Sequence, residues 1–572
     1  MVRRPGSPVW LFAHNLNFDL TVLGFWDQLT AQTWKLSRER PLSPSTCAKR
    51  GLPSGSTSTD SGVLICEDPP SAVLCWHATG WRLNCLDTMN YWPTGLSKLG
   101  AAVGLEKLER PPLDAPREDW DRNCERDVRI IETAVCQFAT WWKTQELGRF
   151  PLTISGAALT AWRERFLPDE VETPEDPEQR KFERTACHGG RTEALWVGTS
   201  GPKFPPSADR PAVQTTIEDP APRGPFHLVD SNSFYGWVQE STPVPVQTLA
   251  WWREGRDGEL ACPPLGADCI AAVRISSQDE EFPVRHGDRL LFAKGEFDTT
   301  LAGEELERAV RTNSIAKTYE VCQYLLSPVL SWFARGIWGE AQAGTGPERG
   351  AIRAACKAML ARLPGKFAQN PYTWEDRPKM VARDPFGSWG TIDSRTGKVR
   401  HFRSIGWLCQ EKIPGEDQDH VFPAVFAFVT AAGRERLRAW RSIAGPRNVL
   451  YLATDGLIVT QAGLERLEDA GEIRPTELGG LRVVASDDSL SIGGPGTYEV
   501  GGKRVAVGRD LIGREVGRGI FVVPRFQTMK AVFARGGGDS IAVTQTTIAI
   551  PRRDVTGKIT PAGWVEPFAF VP

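Results

Sequence analysis

The sequence predicts a multidomain α/β protein, and three observations carry that expectation. At 572 residues the chain is long enough for about three or four domains and a large core. Short apolar runs bounded by turn formers read as buried strands, and two of them end in an acid, Phe226-His-Leu-Val-Asp230 and Trp81-Arg-Leu-Asn-Cys-Leu-Asp87. Between such runs lie segments with helical spacing, among them residues 118–145, 345–363 and 421–440.

In chain order, Val9-Trp-Leu-Phe-Ala-His14 reads as a strand ending in polar residues. Residues 36–60, rich in Ser, Pro, Gly and Thr, read as an irregular insertion, followed by strand-like runs at 63–66 and 72–77. After the strand ending at Asp87, Gly95-Leu96-Ser-Lys-Leu99 opens an amphipathic stretch. Over 118–145, Val128, Ile131, Val135 and Phe138 share one helix face, with Asp127 near the helix start. Residues 168–180 are acidic and proline-containing, a linker. In Cys187-His-Gly189-Gly190-Arg191 the paired glycines permit close backbone approach to a phosphate, and Arg191 adds charge. By composition alone a Gly-Gly pair is more often a turn than a site. Residues 202–225 form another proline-rich connector.

The stretch 226–236 is the centre of the chain. Its apolar run stops at Asp230, and Ser231, Asn232 and Ser233 turn the chain toward Tyr235 and Gly236. An acid at a strand end facing polar space is placed to hold a metal, although such an aspartate is also an ordinary turn former. Its partner lies in Asn448-Val-Leu-Tyr-Leu-Ala-Thr-Asp455-Gly456, where Asp-Gly between apolar runs signals a short hairpin with Asp455 at its tip. Docked beside the first strand, that hairpin would bring Asp230 and Asp455 together, enough to clamp two divalent ions.

Residues 290–300 read as strand and 303–333 as helix, strand and helix. Thr345 and Pro347 suit a helix start, and Pro364-Gly365 its end. Arg349, Arg353 and Lys357 recur every four residues and form one basic stripe, suited to a triphosphate or simply to solvent. Residues 370–419 are loop-rich with a hairpin-like turn at 391–397, and 421–440 begin apolar and become a basic helix.

The net charge of −2 gives no global nucleic-acid signature, but residues 501–553 carry ten Lys/Arg against three Asp/Glu. That excess suits a surface gripping a phosphate backbone, or merely a solvated face. Twelve cysteines without a Cys-x-x-Cys pair argue against structural zinc. Several, such as Cys66, Cys75 and Cys322, sit in apolar runs, as in a reducing cytoplasmic compartment. Met1-Val-Arg-Arg-Pro lacks the apolar core of a signal peptide, and no run of about 18 apolar residues predicts a membrane span.

Asp230-x-x-Ser233-Phe234-Tyr235 resembles the first polymerase motif of family B DNA polymerases, Asp-x-x-Ser-Leu-Tyr-Pro. Tyr451-x-x-Thr454-Asp455 resembles their Tyr-x-Asp-Thr-Asp-Ser hairpin, with Ala453 at the first hairpin acid. Lys357-x-x-x-Ala361-Arg362-Leu363-Pro364-Gly365 is similar to the fingers motif Lys-x-x-x-Asn-Ser-x-Tyr-Gly; the lysine and glycine match. Cys187-His188-Gly189-Gly190 resembles the Tyr-x-Gly-Gly template segment, and Gly496-Thr-Tyr498 falls at Lys-x-Tyr with only the tyrosine kept. Asn15-x-x-Phe18-Asp19 resembles the second exonuclease motif, and Asp127, with Asn123 at the tyrosine position, the third. Gly95-Leu96 resembles a Ser/Thr-Leu segment that contacts single strands. Order and spacing are most similar to the protein-primed viral and plasmid branch.

The resemblance implies a ribonuclease-H-like exonuclease-type domain followed by a right-hand polymerase. It divides the chain into an exonuclease-like domain (1–165, N-terminally incomplete), a linker with the Gly-Gly segment (166–225), palm (226–344 and 421–490), fingers (345–370), an insertion (371–420) and thumb (491–572). The implied function is template-directed addition of deoxynucleotides to a primer 3′ end, in replication of a viral or plasmid-like element. Two Mg²⁺ ions, with Mn²⁺ as the alternative, would sit on Asp230, Asp455 and the backbone carbonyl of Ser231. Lys357 and Arg353 would take the phosphates and Tyr235 would close the sugar pocket. Gly189, Gly190, Arg191, Thr454 and Tyr498 would contact DNA. The partners are primer–template DNA and deoxynucleoside triphosphates, with a terminal protein as candidate primer and no membrane.

Two rivals stay open: a degenerate polymerase-like DNA-binding protein, on Ala453 and the other departures, and a ribonuclease-H-like nuclease on Asn15, Asp19 and Asp127. Weak or absent proofreading is expected, because residues 1–14 contain no Asp or Glu where the family's Asp-x-Glu strand would precede Asn15. Asp87 follows on a different strand and is not expected to replace that pair. A wrongly chosen start codon is the competing explanation.

Overall fold

The computed structural model describes residues 8–16, 19–20, 23, 25, 35–36, 62–66, 72–76, 82–112, 114–168, 170–204, 220–254, 262–287, 289–377, 380, 386–393, 399–405, 408–506, 509–510, 514–517, 520–526, 543–549 and 555–570. Phe18, nearly all of the expected insertion at 36–60 and most of the connector at 202–225 lie outside them. Of the basic segment, several strands are described, including Ile520–Phe526 and Val543–Ala549, but not the side chains beyond residue 505.

The N-terminal sheet is mixed, in the order Val9–Ala13, Arg82–Asp87, Ala72–Trp76, Gly62–Cys66, Lys35–Leu36. Its first two strands run parallel with Ala13 opposite Asp87, so the polar ends of both meet. The helix Arg117–Thr144 follows in this half, burying Asn123, Ile130, Ala134, Phe138, Trp141 and Trp142. The expected face is corrected here: Val128 is 62% exposed. The phase is set by the aromatic cluster, where Phe138 packs against Tyr91, Trp92, Trp141, Trp142 and Phe150. Rings of that size bury more area than one valine, so they decide which way the helix turns.

The central sheet is antiparallel, in the order Leu481–Asp487, Phe226–Ser231, Gly456–Thr460, Val449–Ala453, Glu193–Ala194. Side chains alternate along its strands. Val229, Leu457 and Val459 join the main core with Phe234, Leu363 and Phe428. Phe226, Leu228 and Ile458 join a second core with Leu490, Ile492 and Trp564. Burial on both faces explains why these strands read as unbroken apolar runs.

Three helices cover the first face: Phe234–Ser241, Gly350–Phe367 and Pro423–Ala444. The second does not end at Pro364 as expected but runs on to Phe367 with the proline inside. A helical proline leaves the carbonyl four residues earlier without its amide donor. Gln239, fully buried, supplies a replacement: its Nε2 donates to Leu360 O at 2.7 Å.

The expected helix–strand–helix of 303–333 is present as Gly303–Arg311, Ile315–Ser327 and Ser331–Gln342. The linker expected at 168–180 gives way to the helix Pro177–Thr185, which Asp176 caps and which buries Phe182 and Glu183. The described residues of 370–419 are not loop-rich either. Tyr372–Asp376, Leu408–Pro414, Val399–Ile405 and Phe386–Ile392 form a four-stranded antiparallel sheet. Its strands are joined by ion pairs such as Arg400 with Glu411, so charged residues here are strand neighbours. Ile392 faces Val399 across the expected hairpin, whose residues 394–398 lie outside those described. No helix among the described residues is long and apolar enough to cross a membrane.

Candidate active site

Asp230 and Asp455 meet through sheet register. Gly456 is the direct partner of Asp230, and Ser231 N donates to Asp455 O at 2.8 Å. Thr454 and Asp455 form the hairpin tip, between Ala453 and the paired Gly456. The glycine is therefore not a turn residue, as the Asp-Gly signal implied. A side chain there would start 2.4 Å from Val229 O, so Gly456 lets the hairpin lie against the Asp230 strand. The Asp455 side chain is open to water at the tip, yet the walls around it crowd its carboxyl. That burial, followed by the charge of Asp230, pushes its pKa up to about 6.

Past Asp230 the chain turns sharply. Ser233 adopts φ 54°, a left-handed conformation that a serine enters only at a cost. Asn232 holds the turn, donating N–H to Gly480 O at 3.0 Å and accepting from Gly479 N at 2.8 Å. The helix that follows carries Tyr235 into a cleft of about 430 Å³ lined also by Gly189, Gly190, Arg362, Gly365 and Lys366. Burial raises the Tyr235 hydroxyl to about 12, with Arg434 opposing and Asp455 adding.

The Gly-Gly segment borders the same cleft. Gly189 has φ +83°, and Gly190 packs so closely on Thr454 that a Cβ would lie 2.3 Å from its methyl group. Arg434 fixes this segment: buried and paired with Glu305, it also donates to Gly189 O. Arg191 must be corrected. It is 2% exposed, bonded to Glu193 and to Glu280 O, with its guanidinium 4.0 Å above the Phe292 ring. An arginine so enclosed supports the fold and presents no charge to a phosphate.

On the facing helix the expected stripe divides. Arg349 is tied to Glu340 at 2.7 Å. Arg353 turns back to the carbonyls of Gly344 and Gly346 at 3.0 and 3.4 Å. Lys357 is half-buried, its pKa lowered by burial and then by Arg482 and Arg353, while Asp230 opposes. Lys357 thus shares the field of the acids. Tyr498 lies behind the hairpin, its ring 5.1 Å from that of Tyr451 in the second core.

Spacing alone did not reveal Arg482, Arg434 or Gln239. Arg482 faces Asp230 across the sheet and donates to its Oδ2 at 3.2 Å, though 252 residues separate them. Gln239 Nε2 bridges Tyr235 O at 2.6 Å and Leu360 O. A glutamine one helical turn after Tyr235, with a helical proline elsewhere, is the only signal for the latter.

In the N-terminal sheet the acids are differently engaged. Asp87 accepts backbone N–H groups from Asn15 (3.1 Å), Leu16 (3.0 Å) and Met89 (2.8 Å). Asp19 has a pKa raised by burial and then by the charge of Asp87, whose own carboxylate is held by those three amides. Asp127 sits well inside its helix and pairs with Lys107. Asn15 is exposed, with φ 84°.

Among the described residues no group of three or more His, Cys, Asp or Glu gathers as a cation site. Asp230 and Asp455 nevertheless fit Mg²⁺, which binds through one or two carboxylates and takes its remaining oxygens from water and phosphates. A cation between them would also relieve the repulsion that lifts Asp455.

No family model matches the sequence. No curated protein matches it either. Solved structures match in fold. Phi29 DNA polymerase complexed with primer-template DNA and incoming nucleotide substrates has a TM-score of 0.61 at 15% identity, covering 95% of this chain and 91% of that one. Phi29 DNA polymerase with single-stranded DNA gives 0.60 at 15% identity over the same shares. Its post-translocation binary complex gives 0.56 at 15% identity, over 89% and 80%. The likeness is one of fold, and it spans nearly the entire chain.

Proposed function

We propose that the protein is a template-directed DNA polymerase that extends a primer 3′ end with deoxynucleotides. The observation that carries this reading is the pairing of Asp230 with Asp455 by strand register, on a chain with the fold of solved DNA polymerases. In this reading the central sheet is the palm, the Gly350–Phe367 helix belongs to the fingers, and the strands after residue 490 form the thumb. Mg²⁺ or Mn²⁺, held by Asp230, Asp455 and the carbonyl of Ser231, would supply activation of the primer hydroxyl and neutralisation of the triphosphate.

The protein's own side chains do the positioning. Lys357 receives the phosphates, joined by Arg353 if it releases the carbonyls of Gly344 and Gly346, and Tyr235 closes the cleft against a ribose 2′-hydroxyl. Gly189 and Gly190, held by Arg434 and by contact with Thr454, let the template backbone approach. Thr454 would face the primer from the hairpin tip, with Tyr498 backing the hairpin through Tyr451. Exonuclease action is weak in this reading, because Asp87 and Asp127 are bonded within the chain.

A second reading, a polymerase-like protein that binds DNA without synthesis, draws on Ala453, where the family's hairpin carries another acid. Incubation of the full chain with primed template, Mg²⁺ and the four deoxynucleotides separates the two. Extension that copies the template supports the polymerase, and tight primer–template binding without any extension selects the second reading.

A further inference from the structure

Arg482 stands at this site with no part in the reading above. It is the direct partner of Asp230 across the sheet, and its Nη2 donates to Asp230 Oδ2 at 3.2 Å. The two side chains remain 46% and 32% exposed. The pair formed by Arg434 with Glu305 is of another kind: it is forked onto both carboxylate oxygens, and its members are 2% and 1% exposed. A forked, dry pair is a fixed part of a fold. A single long contact washed by solvent is weak and exchanges readily.

Arg482 also lies near enough to Lys357 to help lower its pKa. Its guanidinium is bonded to the acid that would take a cation and lies within the electrostatic reach of Lys357, on the helix that would take phosphates. Arginine suits both stations, since the same planar donors match a carboxylate and a phosphate.

We propose that Arg482 is an exchangeable counter-ion that neutralises Asp230 in the free protein, yields it to a divalent cation, and turns to the triphosphate beside Lys357. The inference rests on the polymerase reading, because it takes Asp230 as a cation ligand. A guanidinium and a divalent cation cannot both occupy Oδ2 without bringing two positive charges into contact. Cation entry onto Oδ2 therefore displaces the arginine, and arriving phosphates give it somewhere to go. Cation occupancy and nucleotide arrival are coupled by one side chain.

The test is Mn²⁺ binding to the nucleotide-free full chain, read by the paramagnetic signal of the unbound ion. Arg482→Gln is expected to bind Mn²⁺ about threefold or more tightly than the parent, the gain from removing an exposed competitor. Arg482→Lys, which keeps the charge, stays within about twofold. With primer–template present, Arg482→Gln raises the KM for deoxynucleotide by about tenfold, the loss of one charged contact to phosphate. Equal or weaker Mn²⁺ binding by Arg482→Gln overturns the proposal whatever happens to KM. Asp230→Asn serves as the control and should lose most Mn²⁺ binding. If Asp230→Asn binds Mn²⁺ like the parent, the cation site itself is wrong, a failure distinct from that of Arg482.

Discussion

Two pairs of aspartates lie near strand ends in this molecule, and their carboxylates are differently engaged. In the N-terminal sheet Asp87 ends a strand beside Asp19; in the central sheet Asp230 nears the end of a strand beside Asp455. Asp87 spends its carboxylate on three backbone N–H groups that tie two strand ends together. At the central site that stitching is done by backbone atoms, Ser231 N to Asp455 O, and the Asp455 carboxylate is left at an exposed tip. The chain's own amides compete with any ligand for a carboxylate. A strand-end acid is therefore read correctly only when its hydrogen bonds are known.

The comparison breaks or holds first at the central pair. Asp230→Asn and Asp455→Asn keep the shape but remove a negative ligand. Losing about 4 kcal/mol of transition-state stabilisation slows extension roughly a thousandfold. Primer extension at the parental rate by either variant would falsify the assignment.

The next effect belongs to Tyr235. Replacing it with Val opens the cleft, and discrimination against ribonucleotides should fall by about a hundredfold, the upper range for a steric pocket. Competition between the two sugars in single-nucleotide incorporation measures this; unchanged selectivity removes Tyr235 from the sugar's surroundings.

On the N-terminal side the expected loss is in stability. Asp87→Ala strands three amides, that of Leu16 half-buried and those of Asn15 and Met89 exposed, and should cost about 1–2 kcal/mol in denaturant unfolding. Asp127→Asn gives up only a partly exposed pair with Lys107, worth less than about 1 kcal/mol. Neither change should alter removal of mismatched 3′ ends, which is expected to be slow in the parent. Rapid Mg²⁺-dependent removal that Asp87→Ala abolishes at an unchanged melting temperature would erase the contrast.

The smallest effect is a pH limb. Asp455 has a folded pKa of about 6, above its ordinary 3.8. The stability contributed by its proton is thus present at low pH and lost as pH rises through about 6. Catalysis runs the other way: extension falls as pH drops below about 6, by up to tenfold per unit. Raising Mg²⁺ should move that limb to lower pH. A limb that stays in place as Mg²⁺ varies separates Asp455 from the cation.

Local pattern went a long way in this chain. Alternating or continuous apolar runs located the strands ending at Asp87, near Asp230 and before Asp455, because burial of side chains at strand period leaves its mark in composition. Sequence order could also place Asp455 at a hairpin tip, since a two-residue turn is a local event. What lay beyond pattern was everything set by partners distant in the chain. The helix runs through Pro364 because Gln239, 121 residues away, takes the orphaned carbonyl. Arg191 is a core residue because Phe292 and Glu193 close over it. Val399–Ile405 and Leu408–Pro414 belong to one sheet, in which Arg400 and Glu411 meet across strands. Charge and proline carry opposite meanings in water and inside a fold. Which meaning applies depends on whether a partner is waiting, and only the tertiary structure brings that partner into place.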